Sequence, residues 1–246
     1  MFNLPKLIGH RGVKNLAPEN TLDSIELANK LGLKWIEVDV KITKDKIPII
    51  LHDDSLDRTT NFTGLPIDFL YEEIKELDAG FFFYNYKTNI FIPTLEDIFN
   101  FCTKHKIGIN IELKPNKGFE IDNVKAISKV IHQSQDLNNF YFSSFDLNSL
   151  IEMKKIFPNF HYGLLVDNFE NSYSLQECLK ICNNYKFFNF GLNKKLINNE
   201  IINEIKKNNL TITTYSEKNI KLIEANDLWS LGITSIFIDD PRPFEL

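Results

Sequence analysis

His10-Arg11-Gly12, Glu37-Val38-Asp39 and His52-Asp53 put two imidazoles, a guanidinium and a pair of carboxylates in the first quarter of a 246-residue chain. Imidazoles trade protons near neutral pH, a guanidinium fork matches a phosphate, and acidic oxygens hold hard cations. Together they are the groups that metal-assisted cleavage of a phosphodiester requires. On extended backbone, residues i and i+2 project to one side, so Glu37 and Asp39 point together. Two carboxylates buried side by side repel each other unless a cation lies between them, and a divalent ion is the economical answer. A solvated strand end would account for two acids equally well. Glu112 and Lys114 repeat the i, i+2 spacing at the end of another apolar run, and a third acid so placed counts against that plainer account.

A lone histidine is more often packed or at the surface than catalytic. His10 and His52 stand apart because each closes an extended run, His10 ahead of Arg11-Gly12 and His52 at the end of the returning run. His105 and His132 fall near the ends of helical patterns, where a cation suits the macrodipole, and His161 opens a strand; none is given a role. Pro18-Glu19-Asn20-Thr21 reads as a helix start, with Asn20 or Thr21 as the cap and Pro18 fixing the approach. Asp239-Asp240-Pro241 supplies either another acid or a turn and is left unassigned. The aromatic run 81–86 reads as packing for the segment that carries it, with a lid over the substrate as the alternative.

Positioning these groups falls to β-rich runs at 6–10, 35–40, 107–113, 140–144, 161–166, 187–190, 211–215 and 235–239, with helical patterns between them. Eight such alternations predict an α/β fold, a (β/α)8 TIM barrel with its site at the strands' C-terminal ends. Helices are expected at 22–31 and 95–106, the latter opened by Thr94 as N-cap with Asp97 three residues on. The run 47–52 follows the second strand after only Thr43-Lys44-Asp45-Lys46. That turn is too short for a parallel crossover, so the two runs must form an antiparallel hairpin that returns His52 toward the carboxylates. A segment at about 54–92 lies outside the repeat and is expected to cap the barrel mouth. No flexible linker and no internal repeat divides the chain, so residues 1–246 are expected to be a single domain.

At 43% hydrophobic and 25% charged, the composition is that of an ordinary globular protein. The net charge of −5 offers no broad positive field, which excludes nucleic acid as an expected partner. No apolar stretch approaches the roughly 20 residues of a membrane span, and 1–6 lacks the marks of a secretory leader. Cys102, Cys178 and Cys182 are odd in number and form no Cys-x-x-Cys pair, so reduced thiols and a cytoplasmic location are expected.

These residues resemble the glycerophosphodiester phosphodiesterase family, of the phospholipase C-like barrel superfamily. In chain order the matches include Gly9-His10-Arg11-Gly12, Pro18-Glu19-Asn20-Thr21, Ile36-Glu37-Val38-Asp39-Val40, Thr43-Lys44-Asp45, Leu51-His52-Asp53 and Leu56-Asp57-Arg58-Thr59-Thr60. They continue with Leu77-Asp78-Ala79-Gly80, Ile92-Pro93-Thr94-Leu95-Glu96, Asn110-Ile111-Glu112-Leu113-Lys114, Ser144-Phe145 and Ile238-Asp239-Asp240-Pro241, spanning almost the whole chain. The resemblance implies a barrel with an insertion after the His-Asp motif and one divalent cation, Mg²⁺ or Ca²⁺, held by Glu37, Asp39 and Glu112. It implies His10 and His52 as the acid–base pair and Arg11 and Lys114 against the phosphate. The implied reaction is hydrolysis of a small-molecule glycerophosphodiester to sn-glycerol 3-phosphate and an alcohol. Where the family carries Trp-Thr-Val-Asn, this chain has Tyr215-Ser216-Glu217-Lys218, so Tyr215 offers the aromatic face to glycerol or head group.

Three other readings compete. A lysophospholipase D or sphingomyelinase D type of activity would use the same groups, and the run 81–86 suits an apolar lip, but secreted toxins of that type carry disulfides. A sugar isomerase barrel shares the carboxylates and has no need of Arg11 beside His10. A non-catalytic phosphodiester-binding barrel is expected to have lost some of the two histidines and three acids. Nothing in the sequence specifies oligomeric state, the alcohol, or which histidine is the acid.

Overall fold

Alternation along a short strand gives one face to the helices and the other to the interior, and this pattern builds the molecule. The computed structural model describes residues 2–134, 139–169 and 173–244. The order is β1 (Leu7–Gly9), α1 (Leu22–Lys30), β2 (Trp35–Ile42), β3 (Pro48–Ile50), α2 (Tyr71–Ile74), α3 (Phe81–Tyr84), α4 (Leu95–His105), β4 (Gly108–Leu113) and α5 (Glu120–Gln133). It continues with β5 (Phe140–Ser144), α6 (Leu147–Ile156), β6 (Tyr162–Val166), α7 (Leu175–Tyr185), β7 (Asn189–Asn193), α8 (Asn199–Lys207), β8 (Thr211–Tyr215), α9 (Leu222–Leu231) and β9 (Ser235–Ile238).

Strand β1 pairs in parallel with β9 on one side and with β2 on the other, which closes β1, β2 and β4 through β9 into an eight-stranded parallel (β/α)8 barrel. On β2, Ile36, Val38 and Val40 belong to the apolar layer shared with the helices. Trp35 joins Ile8, Tyr141 and Phe237 in a smaller inner cluster, and Glu37 and Asp39 share its side of the strand. The outer layer holds the fold together; the inner cluster plugs the barrel beneath the site.

As the short turn requires, β3 is antiparallel to β2, with Val40 opposite Ile50, and lies outside the ring. The pairing runs one step past the strand, where the Leu51 amide donates to the Asp39 carbonyl at 3.0 Å. This last bond brings His52 beside Asp39. The chain between β3 and α4 has its own small core of Ile49, Leu51, Leu56, Ile74, Ala79 and Ile92. The aromatic run does not form that core: Phe82 is 51% and Tyr86 60% exposed.

Thr94 caps α4 as expected, accepting from the Asp97 amide while the Asp97 carboxylate accepts from the Thr94 amide. The strand expected at 187–190 lies instead at Asn189–Asn193. The aromatic run is rich in strand-forming side chains, but Lys186 ends α7 in the left-handed conformation and Phe187 is spent on the layer under the helices. The true strand carries Asn189, Gly191 and Asn193 on alternate positions, poor strand formers that the crowded interior accepts. Among the described residues, no helix is long and apolar enough to cross a membrane. All three cysteines are free and buried.

Candidate active site

A cavity of about 260 Å³ opens at the C-terminal ends of the barrel strands, and His10, Arg11, Glu37, His52, Glu112, Lys114 and Tyr215 all line it. Asp39 does not reach its surface; at 1% exposure it lies just beneath, among the groups that do. All eight side chains singled out in the sequence therefore belong to one site.

The loop after β1 is built around backbone that ordinary residues avoid. Arg11 and Asn20 have φ of 51° and 58°, and Gly12 has φ of 83°. Ser24 of α1 locks this loop, its Oγ accepting from the Val13 amide at 2.8 Å and donating to the Arg11 carbonyl at 3.0 Å. A Cβ on Gly12 would run into Ser24. Gly12→Ala is therefore expected to cost at least the roughly 1–2 kcal/mol of a left-handed residue with a side chain and to displace Arg11. Urea denaturation and steady-state kinetics of the variant check both effects.

Each imidazole is oriented through Nδ1. His10 Nδ1 meets Asp239 Oδ1 at 2.8 Å, and His52 Nδ1 meets Asp53 Oδ1 at 2.6 Å. A carboxylate on Nδ1 selects the tautomer that leaves Nε2 as the working nitrogen. His10 Nε2 lies 4.0 Å from Glu37 Oε2. Burial lowers the His10 pKa to about 4, against the opposing bond to Asp239, and burial lowers that of His52 as well.

Glu37, Asp39 and Glu112 offer carboxylate oxygens that all lie within 4.8 Å of one another. Burial first, then the charges of Asp39 and Glu112, push Glu37 well above the usual carboxylate range. Burial raises Glu112 too, although Lys114 pulls the other way. Burial also acts upward on Asp39, but Lys114 at 3.3 Å and Arg11 at 3.3 Å more than offset it and hold this group ionised. Oε2 of Glu37 accepts from the Arg11 amide at 2.9 Å, while Oε1 is buried without a hydrogen-bond partner. Three crowded carboxylates, two of them pushed by burial toward their neutral forms, make an oxygen-rich donor set that fits a hard divalent cation.

Four contributors were not recognised in the sequence. Asn20, taken for a possible helix cap, donates to Asp39 Oδ2 at 2.9 Å; the cap is Thr21, which accepts from the Ser24 amide. Glu19 bridges Arg11 at 2.7 Å and Arg58 at 2.7 Å, and Arg58 reaches Asp53 at 2.6 Å. Asp239, left between acid and turn, holds His10. Only Asp239 had a local signal, an acid ending a strand as Glu112 does. Tyr215 places its hydroxyl 3.2 Å from Asp167 Oδ1 and its ring edge-on to Phe145. None of the aromatic run 81–86 lines the cavity.

A closed (β/α)8 barrel with this collection of groups at its C-terminal mouth is the arrangement of a barrel enzyme. Residues 10–242 match the profile of the glycerophosphoryl diester phosphodiesterase family. A glycerophosphodiester phosphodiesterase of Bacillus altitudinis is 32% identical over 243 residues, covering 97% of this chain and 96% of that protein. One from Caldanaerobacter subterraneus is 38% identical over 163 residues, 65% of each chain. The solved structure of an Oleispira antarctica phosphodiesterase in complex with the product sn-glycerol-3-phosphate superimposes with a TM-score of 0.88 at 32% identity, covering 97% of this chain and 94% of that one. The chain belongs to the glycerophosphoryl diester phosphodiesterase family and is an enzyme of that class.

Proposed function

We propose that this enzyme hydrolyses a glycerophosphodiester to sn-glycerol 3-phosphate and a free alcohol, with His10 and His52 as the acid–base pair. The observation that carries this is the convergence, in one cavity, of two imidazoles each held by a carboxylate at Nδ1 with the acidic triad and two cations. The likeness to a phosphodiesterase that holds sn-glycerol-3-phosphate supports it.

The diester lies with its phosphate against Arg11 and Lys114, whose positive charge faces the charge that builds on the phosphate oxygens during attack. Glu19 and Glu112 hold these two side chains at 2.7 and 2.9 Å, so little reorganisation accompanies the reaction. Glu37, Asp39 and Glu112 are the residues that would hold one divalent cation, Mg²⁺ or Ca²⁺. When bound there, it supplies a Lewis acid for a phosphate oxygen. One imidazole takes the proton of the attacking hydroxyl and the other returns one to the departing alkoxide, each through Nε2. Tyr215 and Phe145 give the organic part of the substrate an aromatic wall. The chain between β3 and α4 belongs to the same single domain and meets the site through Asp53 and Arg58, and the buried thiols suit the reducing cytosol.

The test is incubation with glycerophosphocholine, glycerophosphoethanolamine and lysophosphatidylcholine, each with Mg²⁺, Ca²⁺ or a chelator. Glycerol 3-phosphate is expected from the first two, and none with chelator. Choline released from the lysolipid alone would replace this function with a lysophospholipase D activity. A diester without the glycerol 2-hydroxyl separates internal attack through a cyclic phosphate, for which it is inert, from direct attack by water.

A further inference from the structure

Of the three triad carboxylates, Glu37 is the one with a buried oxygen that has no hydrogen-bond partner. Asp39 has Asn20, Arg11 and Lys114, and Glu112 has Lys114, whereas the Arg11 amide and, at 4.0 Å, His10 Nε2 both approach Glu37 at the same oxygen, Oε2. Its other oxygen shares a layer with two further buried polar groups in the same condition. Glu37 on β2 is in register with Asn110 on β4, and Asn110 with Tyr141 on β5, so the three side chains are neighbours on the interior face. Asn110 and Tyr141 are both 0% exposed. Glu37 Oε1, Asn110 Nδ2 and the Tyr141 hydroxyl all lack hydrogen-bond partners. Ser143 Oγ donates to Asn110 Oδ1 at 2.8 Å, which turns the amide so that Nδ2 is the end left over. After burial, Glu37 and Glu112 are what push the Tyr141 phenol well above its usual range, so its hydroxyl feels both carboxylates.

Buried polar groups in folded proteins are almost always paired, and three orphans on adjacent strands in one layer are a coherent exception. Two are donors and one is an acceptor. One water placed among them would satisfy all three, accepting from Tyr141 and Asn110 and donating to Glu37, the three bonds a buried water typically makes. We infer that Asn110 and Tyr141 are positioning residues for Glu37, acting through one enclosed water beneath the acidic triad. The inference rests on the triad's holding a cation, because its consequence is a carboxylate aimed at that cation; partners of this kind change metal affinity by about 10- to 100-fold.

The experiment compares the full-length protein with Tyr141→Phe, which removes one oxygen and keeps the ring among Ile8, Trp35 and Phe237. Titration calorimetry with Mn²⁺ and with Ca²⁺ is expected to show dissociation constants raised about tenfold, with no rise in the melting temperature measured in EDTA. An unchanged dissociation constant together with a higher melting temperature in EDTA overturns the inference, because a merely unpaired hydroxyl improves stability when it is removed. High-resolution crystallography gives an independent readout. Density for a water within hydrogen-bond reach of Glu37 Oε1, Asn110 Nδ2 and Tyr141 OH supports the assignment, and a dry layer refutes it. Should the wild-type protein bind neither cation, the metal role of the triad falls by itself, and the density then decides whether Asn110 and Tyr141 hold Glu37.

Discussion

Replacing His10 or His52 by Ala lowers turnover of a glycerophosphodiester by about 10²–10⁴-fold in each case, the range for loss of a general acid or base. The size of the effect follows from the way the rings are held. Asp239 and Asp53 take Nδ1, so each ring's Nε2 is what remains for chemistry. No other imidazole can substitute: His105 stacks on Phe101 and His161 on Phe2, and His132 lies tilted against Phe157, all away from the cavity lining. Steady-state kinetics with glycerophosphocholine at saturating cation measures the loss in kcat, with circular dichroism to confirm folding. Wild-type turnover in either variant would remove that histidine from the mechanism.

Asp39→Asn is expected to separate chemistry from stability. Two effects compete. Stripping a buried ion pair of one partner commonly costs about 3–5 kcal/mol because a charge is left uncompensated, and Asp39 lies 3.3 Å from both Arg11 and Lys114. Neither cation is stranded by the substitution, however, since Arg11 keeps Glu19 at 2.7 Å and Lys114 keeps Glu112 at 2.9 Å. The change also relieves the repulsion that raises Glu37. Stability in EDTA therefore stays near that of the wild type. Affinity for a hard cation falls by more than the roughly 100-fold that marks the upper effect of an outer partner, because one of three oxygen anions is gone. Turnover at limiting cation falls with it. Urea denaturation and calorimetric titration give the two numbers; an unaltered cation affinity would exclude Asp39 from the ligand set.

What the residue order discloses here is whatever repeats or is close along the chain. Alternation of apolar runs announces the barrel, and the turn at Thr43 to Lys46 forces β3 to reverse. The i, i+2 spacing of Glu37 and Asp39 puts both acids inside once Val38 packs under the helices. The bond between His10 and Asp239 spans 229 positions and exists only because the first strand closes against the last. No local pattern encodes that closure. Asn20 is hidden differently: its type suits a helix cap, and only a φ of 58° turns its amide onto Asp39. The shift of β7 has a third cause, since the interior selects size and polarity there over strand propensity.

The ion pairs that run Asp39, Arg11, Glu19, Arg58 and Asp53 form an unbroken line of alternating sign from the floor of the site toward its rim, where Asp53 meets His52 Nδ1. Such a tether has no slack, and its middle link belongs to a stretch whose other side chains are largely remote from the cavity. Substitutions in the excursion between β3 and α4 are thereby expected to differ in effect: those on its exposed surface leave the site untouched, while changes at Arg58 or Asp53 reach Glu19, more than thirty positions upstream, through the same pairs. A second mooring lies one residue on from Asp53, where Asp54 accepts from Lys41 at 2.8 Å and the same ammonium donates to the Lys114 carbonyl at 3.2 Å.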